Sequence, residues 1–202
     1  MTKEKDIISQ VQPLFFRCGI KSISMDEIAN QLGVSKKTLY EHFQNKAQLV
    51  EKVVLYFFEK HKERLIEAGK IPGNSIDQLN HIFQLNCHQF RQVHPSVLYD
   101  IKKYYNDSWT AFQAYRDEFV YAHIMANLEE GIKQGLYRSE LNREIITKLY
   151  IARMDIIMDT QIFPPEKFSF SLILHELFVY HIRGIATTKG LQYLENEIKL
   201  EF

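Results

Sequence analysis

Lys36, Lys37, Thr38, Tyr40 and His42 fall within the single short run KKTLYEH and bring ammonium groups, hydroxyls and an imidazole together. Those types suit the edges and backbone of a nucleic acid: lysines neutralise phosphates or reach guanine edges, and hydroxyls bond phosphate oxygens or bases. Leu39 and Phe43, at i and i+4, place an apolar stripe on one side of a helix. The polar set is then left for solvent or a partner, and the packed back fixes its angle.

The elements that position this face are legible just upstream. Ser24 and Glu27 have the S-x-x-E form of a capping box, so a helix is expected to begin at Met25. Met25, Ile28, Ala29 and Leu32 recur at helical spacing, Gly33 supplies the permissive backbone that ends the helix, and Ser35 caps the next one. The result is two short helices joined by a tight turn. SxxxIAxxxGVSKxTLYxHFxxKxxL, preceded by LFxxxG at Leu14 to Gly19, resembles the TetR family of bacterial transcriptional regulators over roughly residues 7 to 50. The resemblance implies that Lys36, Lys37, Thr38, Tyr40 and His42 meet double-stranded DNA, with Ser24 and Lys46 holding phosphates from either side. Lys37 stands where many relatives carry a small residue such as glycine.

Composition alone does not select this function. The 202 residues are 46% hydrophobic and 25% charged, as in a soluble globular protein, and basic and acidic residues balance at 25 each. Residues 1–52 carry net +2 and the remainder net −2, an asymmetry too small to indicate DNA binding by itself. The charged opening Met-Thr-Lys-Glu-Lys-Asp is unlike a signal peptide, and the most apolar segment, Phe168 to Ile182, is interrupted by His175, Glu176 and His181. A cytoplasmic protein without a membrane span is expected. Cys18 and Cys87 each sit on an apolar helical face as small hydrophobes, with no disulfide expected.

Ile7, Ile8, Val11, Leu14, Phe15 and Cys18 predict a first helix closed by Gly19, with a kink or weakened first turn at Pro13. Asn45 and Gln48 cap a long helix from Lys46 to Ala68, about 34 Å at about 1.5 Å per residue. GKIPGN, Gly69 to Asn74, is the clearest linker; Ser75 with Gln78 then predicts a new cap, and His94-Pro95 a stop. Trp109, Phe112, Tyr115, Phe119, Ala122 and Ala126 mark a further long helix ending near Gly131 or Gly135. The whole reads as all-α with about nine helices: residues 1–48 a three-helix DNA-binding domain with a helix-turn-helix, residues 49–202 a helical ligand-binding and dimerisation domain.

GIKQGLYRSELNREI, Gly131 to Ile145, resembles the family's lead into two C-terminal helices. Those helices are apolar around most of their circumference, through Ile145, Ile146, Leu149 to Ala152, Met154 and Ile156 to Met158, and again through Leu172 to Leu174 and Leu177 to Ile182. Such helices must be covered on every side, and a second copy of the same pair does so most economically. A homodimer reading two palindromic half-sites is expected. The resemblance also implies a small-molecule effector pocket, for which Phe83, Tyr99, Tyr105, Trp109, Phe112, Tyr115 and His123 are candidate lining residues, although aromatics at such spacing also serve as plain core. Arg153 and Asp155 suit either a ligand anchor or the dimer interface. His81 and His88, two turns apart with Cys87, lack the usual i,i+4 spacing and a third ligand, so no metal or cofactor is expected. Nor is there a phosphate loop, nucleophile elbow, HExxH or dinucleotide fingerprint, and no enzymatic activity is expected. Two other readings stay open: a helical small-molecule binder whose helix pair does not bind DNA, and a DNA-organising protein without effector control.

Overall fold

The computed structural model describes residues 3–91, 93–94, 96–157 and 159–198; Pro95 and Met158, which entered the sequence reading, lie outside these. The described chain is all-α, with one isolated antiparallel bridge between Tyr137 and Ala186. The helices are α1 (Lys3–Cys18), α2 (Met25–Leu32), α3 (Lys36–His42), α4 (Lys46–Gly69), α5 (Ser75–Phe90), α6 (Ser96–Tyr104), α7 (Asn106–Ala114), α8 (Tyr121–Lys133), α9 (Arg143–Ile157), α10 (Phe170–Ile185) and α11 (Thr188–Glu197). A π-helical turn, Tyr115–Val120, joins α7 to α8 without a break. Among the described residues no helix is long and apolar enough to cross a membrane.

Two compact units form. The first holds residues 1–63 and 92–115, the second 64–91 and 116–202. In the first, α1 buries Ile7, Ile8, Val11 and Phe15. It runs on through Pro13, whose missing N–H falls on an exposed position. Cys18 is exposed rather than packed, because the chain leaves the helix at Gly19 (φ +82°).

In the second unit α5 packs against α8 and α10, and α9 packs against α8 and α10. The cap of α5 is one residue earlier than the sequence suggests. Asn74 accepts from the N–H groups of Ile76 and Asp77, and Asp77 returns the bond to the Asn74 N–H, completing a capping box. Ser75 is thereby the first helical residue and is fully buried. Asn127 on α8 donates to its carbonyl (2.9 Å), and Tyr137 donates to Asn127 (3.2 Å).

The π-helical turn also corrects a face. The expected stripe through Phe119, Ala122 and Ala126 is not the buried one: Ala122 and Ala126 are exposed, whereas Val120, Ile124, Asn127 and Leu128 are buried. One extra residue per turn rotates every later side chain by about 100°, and 3.6-residue spacing has no means of anticipating it.

Candidate nucleic-acid interface

Each end of the α2–α3 pair is fixed by a local bond. The Ser24 hydroxyl oxygen accepts from the Glu27 N–H (3.2 Å), and Glu27 Oε2 accepts from the Ser24 N–H (2.6 Å). This cap is worth about 1 kcal/mol. The Ser24 N–H, and after it the Ser24 hydroxyl donating to the same Oε2, hold the Glu27 carboxyl below the usual carboxylate range. Gly33 takes the left-handed conformation (φ +66°) that closes α2. Ser35 Oγ then accepts from the Thr38 N–H at 3.0 Å and opens α3. Beneath, Ile28, Leu39 and Phe43 are fully buried, so α3 has a rigid back.

The outward face is unevenly committed. Lys37 is exposed and forms no ion pair among the described residues, and Tyr40 is 44% exposed. Lys36 pairs with Asp26 on α2 (Nζ to Oδ1, 2.7 Å), which raises the lysine's pKa. Both ends of that pair are more than half exposed, so solvent screens it. Thr38 is half-buried with its hydroxyl 2.8 Å from Ser35 Oγ, and the half-buried His42 ring lies 6.3 Å from that of Phe43. Lys46, at the start of α4, donates to the Ile23 carbonyl, and burial lowers its pKa against the opposing pull of Asp100 and Glu27. Asp26 and the Ile23 carbonyl were not foreseen as partners, since neither bears a helical spacing to the lysine it holds.

Residues 12–53 match the sequence profile described as bacterial regulatory proteins, tetR family. The chain belongs to the TetR family. It is similar to the uncharacterized HTH-type transcriptional regulator YvaF of Bacillus subtilis (strain 168), 27% identical over 90% of this chain and 95% of that relative. The HTH-type transcriptional repressor KstR2 of Mycolicibacterium smegmatis is 20% identical over 72% of each chain. Among solved structures, a transcriptional regulator from Saccharomonospora viridis in complex with choline shares the fold, with a TM-score of 0.76 and 16% identity over 91% of this chain and 97% of that one. The protein is thus a TetR-family transcriptional regulator with a DNA-binding helix-turn-helix.

The candidate effector residues of this TetR-family chain fall in several places. In the first unit Trp109, Phe112 and Tyr115 gather with Phe58: Trp109 and Phe112 rings are 5.2 Å apart, Phe58 lies 5.9 Å from Phe112, and Phe58 stacks on Tyr115 at 4.6 Å. His61, missed in the sequence, is buried with Nδ1 2.5 Å from the Tyr115 hydroxyl. Its i+4 spacing from Phe57 gave the only hint. Tyr105 is half-buried and burial raises its pKa, whereas Tyr99 is 56% exposed and takes a bond from Lys103 at 2.7 Å. Phe83 and His123 belong to the second unit, where Phe83 stacks on Phe178 at 5.2 Å and the His123 ring meets the Phe119 carbonyl at 2.8 Å.

The second unit also holds an open cleft of about 450 Å³ lined by Arg116, Asp117, Tyr121, Lys148, Ile151, Ala152 and Asp155. Arg116 bridges Asp117 and Asp155 there, at 2.8 and 2.9 Å. Arg153 turns elsewhere, donating to the Leu177 carbonyl (3.3 Å) with its guanidinium over the Tyr150 ring. Among the described residues no group of three or more His, Cys, Asp or Glu side chains gathers to hold a metal.

Proposed function

We propose that this protein is a ligand-responsive repressor: a homodimer that reads a palindromic operator and leaves it when a small molecule binds. On this reading residues 1–48 read DNA and residues 49–202 bind the effector and dimerise. The observation that carries the DNA part is Lys37 and Tyr40 presented to solvent from a helix whose opposite side is fully buried. Rigid presentation of a cation and a phenol is what base-edge and phosphate contacts need. Dimerisation is supported by Ile145, Leu149 and Ile156 on α9 and by Leu172 and Tyr180 on α10, apolar side chains left largely exposed on the isolated chain. Repression is the activity named for the Mycolicibacterium smegmatis relative, and the Saccharomonospora viridis structure carries a small molecule. Trp109, Phe112 and Tyr115, with the Tyr115 hydroxyl as a polar handle, suit a mostly apolar or planar effector.

Fluorescence anisotropy with the DNA upstream of the protein's own coding sequence tests this reading. Lys37→Ala is expected to lower operator affinity about tenfold and relax sequence preference, because a base-edge contact is worth about 1–3 kcal/mol. Lys46→Ala is expected to weaken random DNA as well as operator binding and shallow the salt slope by about one. Unchanged affinity in both variants sinks the map. Absence of salt-sensitive binding in the wild type leaves a small-molecule binder, and binding that no metabolite relieves leaves a DNA-organising protein. Native mass spectrometry of the purified protein then identifies the effector class from any co-purified compound.

A further inference from the structure

Asp100 stands out in α6 because the helix does not need it. Its neighbours on the same face, Val97 and Ile101, are buried core residues, and Asp100 itself is only 4% exposed. A carboxylate at such a position costs several kcal/mol unless it is bonded in place, and an apolar residue would pack there without that cost.

What it bonds is the turn that enters the DNA-reading helices. Asp100 Oδ2 accepts the backbone N–H of Lys21 at 3.0 Å, with the Ser96 hydroxyl 3.5 Å away. Two residues further along the same turn, the Ile23 carbonyl is taken by the Lys46 ammonium, which Asp100 also attracts. The very next residue is Ser24, the cap of α2. The turn is therefore gripped at a backbone donor and at a backbone acceptor immediately before the first DNA-reading helix begins.

Three further contacts run along the same seam. The Phe16 carbonyl accepts the His94 N–H. Lys21 Nζ donates to the Tyr104 hydroxyl at 3.1 Å and lies 4.5 Å over that ring. At Gly19 a Cβ would come within 2.7 Å of Ser96 Oγ, so the turn approaches α6 as closely as glycine allows. Residues 92–115 accordingly fall in the same compact unit as α1 to α3.

We propose that Asp100 is a positioning residue for DNA binding, holding the Gly19–Ile23 turn so that α2 and α3 present Lys37 and Tyr40 at the angle an operator requires. It acts through the Lys21 N–H and touches no DNA itself. The proposal rests on the DNA-binding reading.

The test compares wild type, Asp100→Ala and Asp100→Asn in anisotropy titrations against the upstream duplex and a scrambled duplex of equal length. Hydrogen exchange of the Lys21–Glu27 amides is followed without DNA. Asp100→Ala is expected to lower operator affinity at least tenfold, leave scrambled-duplex affinity within twofold, and speed exchange in the turn. Asp100→Asn keeps an acceptor for the Lys21 N–H and is expected to recover most of both losses. Operator affinity and exchange unchanged in Asp100→Ala overturn the proposal. An equal loss on both duplexes in both variants also overturns it, since that marks a residue that only stabilises the fold. A wild type without operator affinity is a different result and removes the DNA-binding reading itself, whereas slower exchange at Lys21 in wild type than in Asp100→Ala still supports the grip on the turn.

Discussion

The α2–α3 pair and the α9–α10 pair bury their residues by opposite rules. In α2–α3 the apolar residues Ile28, Leu39 and Phe43 all go inside, each helix is capped by a serine, and the polar residues stay out. In α9–α10 the order is mixed: Leu149 is 62% exposed and Tyr180 79% exposed, while Thr147 is buried and His181 nearly so. A surface that reads DNA has to offer polar groups from a finished core, so one chain completes it. A surface made for another copy of the chain is apolar and is completed only when that copy arrives. On the proposed reading, the contrast separates a rigid reader from a dimer interface.

The contrast breaks most visibly at Phe43. Phe43→Ala empties a fully buried position behind α3 and is expected to cost about 3–5 kcal/mol, seen as an early transition in thermal unfolding followed by circular dichroism. Leu149→Lys should do the reverse, leaving unfolding within about 0.5 kcal/mol of wild type while weakening self-association about 100-fold in sedimentation experiments, about 2.8 kcal/mol. A wild type that sediments as a monomer at micromolar concentration would erase the difference between the two pairs.

His181 gives a smaller and pH-dependent effect. Burial, with the nearby charge of Arg153, lowers its pKa from 6.5 to about 3, so it is neutral in the folded chain. The unfolded chain takes up a proton below about pH 6.5 and the folded one does not, so stability is full above that pH and falls as pH drops toward 3. The loss is at most about 1.4 kcal/mol per unit, about 2 kcal/mol between pH 6.5 and 5. His181→Leu should remove that slope in denaturant titrations at the two pH values, and an unchanged slope would place the titrating group elsewhere.

Much of the reader was legible because its signals act over three or four residues. Ser24 with Glu27, Gly33, and Ser35 before Thr38 each satisfy a backbone group nearby, so their types and spacing carry the geometry with them. The family motif adds the roles proposed for Lys37 and Tyr40. Spacing failed where the chain departs from 3.6 residues per turn, as at Tyr115–Val120, and where two equivalent caps compete, as at Asn74 and Ser75. It was silent on pairs far apart in sequence: Lys21 with Asp100, His61 with Tyr115, Lys36 with Asp26.

By itself, then, the sequence determined that this is an all-α regulator with a helix-turn-helix, where its reading helices begin and end, and that its C-terminal helices carry more apolar surface than one chain hides. Hydrophobic periodicity and capping are local, and a linear string records them completely. Only the tertiary structure decided which cations remain available to DNA, which aromatics share a cluster, and that a carboxylate in α6 grips the turn ahead of α2. Those outcomes depend on burial and on bonds between residues some eighty positions apart, and a buried charge has its meaning only once its surroundings are assembled.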